Sequence, residues 1–415
     1  MCLKWRNKTL ETNNIMNREE RRIIGLTTAS HSLVHLYENV LPPLIPLLTV
    51  FFHTDYFHLG LVVTVFSYAF GLGSLPSGIL ADRLGPRRLV TLYLFGSGVL
   101  SVLIWFSGTL RSYAVFMGIL GLFCSIYHPA SNTLISQAVR QRGKAFGIHG
   151  IAGSLGVAVA PALAAWIGSA AGWKAPHILF GVLGVMIGFY SLSFKAKYTV
   201  SPTPREVNTS TSEPVRTSYL NFIIFFLAAL SLGLSYKGIM TFLPTYMGES
   251  VDMRIFGMDS VSMGGMVATF ALLSGALGQY LAGRLVDRYQ PERIYFTVVA
   301  VGTVFVFIMA ASSNFTLILS AVVYAFLYFA TQPTQNFILA KYTPANRHGL
   351  VFGLHFFLMF GIGSTAAAAS GYLADHFGLS SVFYAMGGCF AFSSVLLLWL
   401  AARTASHGGA TRSQR

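Results

Sequence analysis

The feature that most constrains this 415-residue chain is a series of apolar runs long enough to cross a lipid bilayer. A helix of about 20 apolar residues spans the hydrocarbon, and it satisfies its own backbone hydrogen bonds there. Barrel strands are excluded because the runs lack a period of two. With 54% hydrophobic and 10% charged residues, the chain also has too little charge for a soluble surface. We predict twelve spans: 23–50, 57–81, 88–107, 112–138, 144–172, 175–194, 219–248, 260–283, 293–312, 315–342, 348–374 and 380–402.

The net charge of +14 is also found in nucleic-acid-binding proteins, but here the basic residues follow the predicted topology. With the amino terminus inside, 24 of the 28 Lys and Arg residues fall on the cytoplasmic side. Arg111, Lys174 and Arg254 fall on the other side, and Lys237 lies within a span. This positive-inside bias predicts a multi-pass protein of the bacterial inner membrane with both termini in the cytoplasm and no nucleic-acid partner.

A hydrophilic stretch rich in Ser, Thr and Pro divides the spans into two groups of six. We interpret it as a flexible cytoplasmic linker between two halves. The polar segment before the first span lacks the pattern of a cleavable signal peptide, and either Met1 or Met16 can be the start. The predicted division is an amino-terminal tail at 1–22, six-helix halves at 23–194 and 219–402, the linker at 195–218 and a carboxy-terminal tail at 403–415.

A short basic sequence occurs in both halves. "GILADRLGPRR" begins at Gly78 and "GRLVDRYQPER" begins at Gly283, 205 positions later. Each copy lies between the second and third spans of its half. An Asp beside Arg residues at a helix end suits a charge cluster that forms and breaks as the halves move. The alternative is that these are topology charges alone, although Lys or Arg without Asp would suffice for that.

Two further pairs of sequences support the repeat. "GKAFGIH" from Gly143 matches "GLVFGLH" from Gly349, and "HPASN" from His128 matches "QPTQN" from Gln332. The offsets of 206 and 204 agree with the first pair. Two parallel six-span repeats are typical of an alternating-access carrier whose binding site lies between the halves near the bilayer midplane.

These features resemble the major facilitator superfamily over the whole chain. The loop signature of that family, roughly G-x-L-a-D-r-x-G-r-[KR], matches the first basic sequence. The resemblance implies an all-α membrane protein with twelve transmembrane helices in two pseudo-symmetric six-helix halves, usually a monomer. It also implies that the loops lock against neighbouring helices in the outward-open state. The gating residues are then Gly78, Asp82, Arg83, Gly85, Arg87 and Arg88 in the first copy and Gly283, Asp287, Arg288 and Arg293 in the second.

Within the superfamily, "YHPASN" followed by "RGKAFGIHGIAGSLGVAVAPALAAW" is most similar to the fosmidomycin-resistance group of drug exporters. The antiporter signature of the fifth span is met at Gly147, Gly156 and Pro161, but alanine replaces glycine at 160, 164 and 165. The fourth span also lacks the Arg that drug antiporters usually carry. Both departures weigh against an antiporter.

Two ionisable residues are predicted near the middle of spans, where a charge is costly and is kept mainly for function. Glu38 lies in the first span and Lys237 in the seventh, which are equivalent helices of the two repeats. His31, His35 and Glu38 are spaced i, i+4 and i+7, so they share one face of the helix. We predict that Glu38 carries the coupling proton and that the histidines tune or share it. The alternative is a fixed Glu38–Lys237 or Glu38–His pair that only holds helices together.

Other cavity residues are predicted from the same helices. Lys237 has a second interpretation, because a buried cation can bind the carboxylate or phosphate of an anionic substrate. Tyr37, Tyr127 and Tyr236 neighbour these positions, where they can hydrogen-bond a ligand or only pack. His128 precedes a proline that bends the fourth span, which predicts a cavity-lining or hinge role. A hydrogen bond to a neighbouring helix is the alternative.

The sequence indicates no cofactor or enzymatic chemistry. His149 and His355 are equivalent positions that we assign to packing at a gate. His31 and His35 form an i, i+4 pair that would need Glu38 as a third metal ligand, and we predict no metal site. The three cysteines are scattered, and the sequence holds no phosphate loop and no GxSxG, HExxH or CxxC motif.

We therefore predict a secondary active transporter that rocks 23–194 against 219–402, with protons, a small-molecule substrate and the lipid bilayer as partners. The predicted task is proton-coupled export of a small drug-like or anionic compound. The alternative is proton symport of a small carboxylate into the cell, which the altered fifth span and Lys237 favour. A receptor or scaffold is a third class, but it needs neither paired loop motifs nor a charged cavity.

Overall fold

A computed structural model describes residues 16–193, 219–252, 257–343 and 347–412 of the chain, without the side chains at 82, 348–350 and 406–412. The predicted linker and most of the amino-terminal tail lie outside the described residues. The described part contains twelve helices long and apolar enough to cross a membrane. We number them α1 (Arg18–Phe52), α2 (Tyr56–Ala81), α3 (Pro86–Phe106), α4 (Leu110–Ala138), α5 (Arg142–Ala171), α6 (Lys174–Leu192), α7 (Tyr219–Ser250), α8 (Ser260–Leu285), α9 (Pro291–Ala311), α10 (Asn314–Tyr342), α11 (Val351–Phe377) and α12 (Leu379–Ala405).

The prediction of twelve spans is confirmed, and the boundaries differ most at the start of α1, which begins at Arg18 rather than at residue 23. A capping box explains the earlier start. The side chain of Asn17 accepts a hydrogen bond from the Glu20 backbone, and the Glu20 carboxylate accepts one from the Asn17 backbone. These polar contacts begin a helix one turn ahead of the apolar run from which the span was predicted.

Three spans are interrupted within their length. A 3₁₀ turn at Pro42–Leu44 breaks α1, where successive prolines cannot donate helical hydrogen bonds. In α4 the helix stops at Cys124 and resumes at Tyr127. In α11 a π-helical turn covers Phe357–Gly361 and is followed by a 3₁₀ turn. Such turns often mark functional positions in a helix.

The twelve helices form two pseudo-symmetric halves of six. In the first half α3 packs on α6, and in the second the equivalent α9 packs on α12. Between the halves, α2 packs on α11 and α5 packs on α8. We call the end of the bundle that holds Gly78 and Gly283 the motif end. The opposite end, which holds the left-handed residues His53, Gly172 and Gly378, is the far end.

The two halves are in close contact at the far end. The Asp375 carboxylate of α11 accepts hydrogen bonds from the backbone N–H groups of Tyr56 and Phe57 at the start of α2, at 3.0 and 2.9 Å. The Ser169 hydroxyl of α5 donates to Asp259, just before α8, at 2.6 Å. Burial alone would raise the pKa of Asp259, but the hydrogen bonds it accepts outweigh that effect and hold its pKa below the ordinary value.

The motif end carries the predicted gating residues. A Cβ atom placed on Gly78 or Gly283 would meet no other heavy atom within 4 Å. Arg87 donates to the Ser191 carbonyl of its own half at 2.6 Å. Gly85 has φ of 90°, which lets α2 end and α3 begin at a proline. The remaining predicted gating side chains are exposed, namely Arg83, Arg88, Asp287, Arg288 and Arg293, while the side chain of Asp82 lies outside the described set.

Candidate functional site

A cavity of about 340 Å³ lies between the halves. Its walls come from α1, α2, α4 and α5 on one side and from α7, α8, α10 and α11 on the other. Its volume is at the lower end of the range for small-molecule sites, about 300–1,000 Å³. Hydrogen bonds join the halves across the far end, and the lining residues Asn132, His149 and Asn336 lie in the motif-end part of their helices. Both observations favour entry of a ligand from the motif end.

A buried ion pair joins the halves at the cavity. Lys237 of α7 donates to Glu38 Oε1 of α1 at 3.1 Å, and both side chains are less than a tenth exposed. The other carboxylate oxygen, Oε2, lies 3.1 Å from Nδ1 of His35. Glu38 and His35 line the cavity, but Lys237 is not part of its wall. The two charged residues predicted from the sequence are therefore paired here, and Glu38 separates Lys237 from a ligand.

Four histidines are grouped beside this pair. The ring of His31 lies 5.1 Å from that of His35, 5.2 Å from that of His128 and 4.0 Å from that of His149, measured between centroids. His31 Nδ1 is 2.6 Å from the backbone oxygen of His149. All four side chains line the cavity, as the sequence predicted for His128.

His149 and His355 take a position that the sequence did not predict. Both line the cavity, one from each half, whereas their positions near the start of α5 and α11 had indicated packing at a gate. The repeat predicted that the two positions are equivalent, but it could not predict the depth of the cavity.

The three predicted tyrosines take different positions. The hydroxyl of Tyr37 donates to the Phe180 carbonyl at 2.9 Å, and that of Tyr127 donates to the Thr27 carbonyl, so both pack within the first half. Neither lines the cavity, and the packing alternative describes both. Tyr236 does line the cavity, with its ring stacked on that of Tyr328 at 4.7 Å.

Sequence reasoning missed a set of carboxamides on the cavity wall. Asn132 of α4 and Asn336 of α10 are exposed to the cavity from opposite halves, and they are the last residues of the repeated "HPASN" and "QPTQN". Gln332, the equivalent of His128, accepts a hydrogen bond from Gln279 at 2.6 Å. The repeat was the signal that could have found them, because equivalent positions in two halves face a shared axis.

Family comparison identifies the protein class. A family model described as Major Facilitator Superfamily matches residues 27–368 and 225–415. The chain belongs to this superfamily. It is thus a multi-pass membrane transporter and not an enzyme, as the loop signature had indicated.

Individual relatives are distant. The chain is 31% identical over 141 residues to the Probable L-galactonate transporter of Escherichia coli (strain K12), which covers 32% of this chain and 30% of that protein. It therefore spans less than a third of the length of that relative. It is 22% identical over 369 residues to the Fosmidomycin resistance protein of the same organism, covering 87% of this chain and 88% of that one.

A solved structure shows the same fold. The bacterial homologue of the human lysosomal transporter Spinster, in an inward-facing and occupied conformation, has a TM-score of 0.75 and 13% identity. The match covers 93% of this chain and 97% of that one. At this identity the likeness shows the fold alone.

Proposed function

We propose that this superfamily member takes up a small hydroxylated organic acid together with protons, by alternating access of the cavity to the two sides of the membrane. The observation that carries the proposal is the wall of the cavity, where exposed carboxamides from both halves adjoin an ion pair and a group of imidazoles. A ligand with hydroxyl groups and one acidic end matches this set of donors and acceptors.

The hydroxyl groups are assigned to the carboxamides. A carboxamide both donates and accepts hydrogen bonds, so Asn132 and Asn336 can contact one ligand from opposite sides of the cavity. Tyr236 and Tyr328, whose rings are stacked on each other, offer the cavity an apolar surface for the carbon skeleton. Binding that draws both walls inward would favour closure of the motif end.

The acidic group is assigned to the region of the ion pair. Lys237 is buried behind Glu38, so a substrate carboxylate would reach the ammonium only by displacing Glu38. Removing one partner from a buried ion pair costs about 3–5 kcal/mol. A substrate carboxylate offsets that cost when it takes the place of the Glu38 carboxylate beside Lys237. Substrate binding and rearrangement of the Glu38–Lys237 ion pair, which joins the halves, are then the same event.

Proton coupling follows from charge balance. A negative-inside membrane potential opposes uptake of an anion by about 2.3 kcal/mol per 100 mV. One proton per monovalent anion removes this opposition, and a second makes the potential favourable. We place the motif end in the cytoplasm because 24 of the 28 basic residues lie on that side by the predicted topology. The arrangement described above is then the inward-facing state.

Export of a drug-like compound is the second candidate. The Fosmidomycin resistance protein aligns with most of the chain, and the cavity has an aromatic side formed by Phe70, Phe329, Phe356 and Phe360. Such a wall suits an amphiphilic compound.

The test is proton and substrate flux in proteoliposomes with a pH-sensitive dye in the lumen. The probes are a hexonate, a dicarboxylate and, as control, the neutral hexose. Uptake predicts that an inward hexonate gradient acidifies the lumen in wild type and not in Glu38→Gln, while the matched far-end variant Asp252→Asn behaves as wild type. Acidification by the neutral hexose, or hexonate flux without protons, would contradict the proposal. Proton-driven extrusion of an amphiphile with no hexonate flux would establish the second candidate.

A further inference from the structure

Three imidazole rings converge on the first-half wall of the cavity. His31 and His35 lie one turn apart on α1, and His128 comes from α4. One ring nitrogen from each lies within 4.8 Å of the others. All three side chains line the cavity, so the space between them is open to a small ion.

The hydrogen bonds around two of these rings determine which nitrogen is available. A carbonyl oxygen only accepts, so the contact between His31 Nδ1 and the His149 oxygen at 2.6 Å places the proton on Nδ1 and leaves Nε2 with a lone pair. The contact of His35 Nδ1 with Glu38 Oε2 at 3.1 Å does the same for His35. Metal-binding histidines almost always donate their second N–H to a carbonyl or a carboxylate in this way.

We infer that His31, His35 and His128 form a site for a divalent transition-metal ion of the zinc class. Imidazole nitrogens suit zinc, cobalt and nickel better than magnesium or calcium, which prefer oxygen ligands. Three protein ligands leave the fourth tetrahedral position for water or a ligand oxygen on the cavity side. The expectation of no metal site from the sequence considered only α1, where Glu38 would have been the third ligand.

The geometry requires a modest contraction. Nitrogens at about 2.1 Å from a tetrahedral ion are about 3.4 Å apart, so the three rings must approach one another by up to about 1.4 Å. Rotation of side chains at a cavity surface can supply this movement. Gly153 on α5 keeps space beside the site, since a Cβ atom there would lie 2.6 Å from His31 Nε2.

Glu38 is the charged residue that contacts the proposed site. Glu38 links the site to the second half, because one of its oxygens contacts His35 and the other contacts Lys237. The negative charge of Glu38 is therefore shared between the ammonium of Lys237 and the imidazole of His35, which would bind the ion. The binding inference concerns the same cavity as the proposed uptake, but it does not rest on the identity of the substrate.

The experiment measures Zn²⁺ and Co²⁺ binding to the purified full chain in detergent after treatment with a chelator. We expect one Zn²⁺ per chain by calorimetry and the visible absorption of tetrahedral Co²⁺. His31→Ala, His35→Ala and His128→Ala should each weaken Zn²⁺ binding at least tenfold. The matched control is His355→Ala, a cavity histidine on the opposite wall, which should change the affinity less than twofold.

Two measurements keep the inference testable if a histidine variant does not fold. Zn²⁺ should raise the melting temperature of the wild type in proportion to the logarithm of its concentration, and Mg²⁺ should not. Gly153→Ala retains every ligand but displaces His31, and it should also weaken binding at least tenfold. Absence of Zn²⁺ binding to the wild type, or equal affinity in His128→Ala and His355→Ala, would overturn the site. Since these assays read binding and not flux, that result would leave the proposed uptake standing.

Discussion

We expect the carboxylate of Asp375 to control the equilibrium between the state with a closed far end and the state with an open far end. Its oxygens accept hydrogen bonds from the Tyr56 and Phe57 backbones, across the boundary between the halves. The two N–H groups are at the start of α2, where helical partners are lacking and the helix dipole favours negative charge. Opening the far end must break both bonds.

The substitution Asp375→Asn changes this contact with little change in shape. An asparagine has one accepting oxygen, so one of the two hydrogen bonds is lost, at a cost of about 1 kcal/mol at an exposed position. Loss of the negative charge beside the helix amino terminus adds about 0.5 kcal/mol. The sum of about 1.5 kcal/mol predicts about a tenfold rise in the ratio of far-end-open to far-end-closed molecules.

The populations of far-end-open and far-end-closed molecules can be measured by double electron–electron resonance between two spin labels. Gly108→Cys in the first half and Ser313→Cys in the second give exposed positions at the far end, in a background with the native cysteines replaced. Asp252→Asn is the matched control, because Asp252 bonds to Asn314 within the second half. An unchanged distance distribution in Asp375→Asn, or an equal change in the control, would refute the assignment.

Two more predictions concern the same interface. The pKa of Asp259 is lowered when the far end is closed. Its contribution to the stability of the closed state is therefore present above its ordinary pKa of 3.8 and is lost as the pH falls through the lower value. The labelled far end should open on acidification below about pH 4, and Asp259→Asn should reduce that dependence. Gly265→Ala would place a Cβ atom in steric clash with the Pro161 carbonyl of the other half, so it should lower the melting temperature or shift the labels to the open state. Gly388→Ala, which meets no atom within 4 Å, should do neither.

The fold was predictable because its main determinant is local. Apolar length defines a span wherever it occurs, and the repeated basic sequences ordered the spans into two halves. The boundary at Arg18 was missed because it depends on the capping contacts of Asn17 and Glu20, which contribute nothing to hydropathy. The bends within α1 could be anticipated from proline, whereas the π turn of α11 has no such residue to indicate it.

The candidate site was predictable in part. Helical spacing placed His31, His35 and Glu38 on one face, and all three line the cavity. Spacing within one helix does not give the distance to another, so the sequence left open whether Glu38 and Lys237 pair. It also left open which tyrosines reach a ligand, since that depends on the rotation of each helix against its neighbours.

The repeat that builds the cavity also determines how a ligand lies in it. Asn132 and Asn336 occupy equivalent positions, but His128 on one side is matched by Gln332 on the other. The walls are thus related by pseudo-symmetry in shape and differ in their chemistry. Under the proposed uptake, a molecule with two unlike ends would have one favoured orientation, with its acidic end beside the imidazoles, while a molecule with identical ends would bind either way round. Stereoisomers that differ in configuration at a hydroxyl-bearing carbon should therefore be distinguished by the Gln332 side of the cavity.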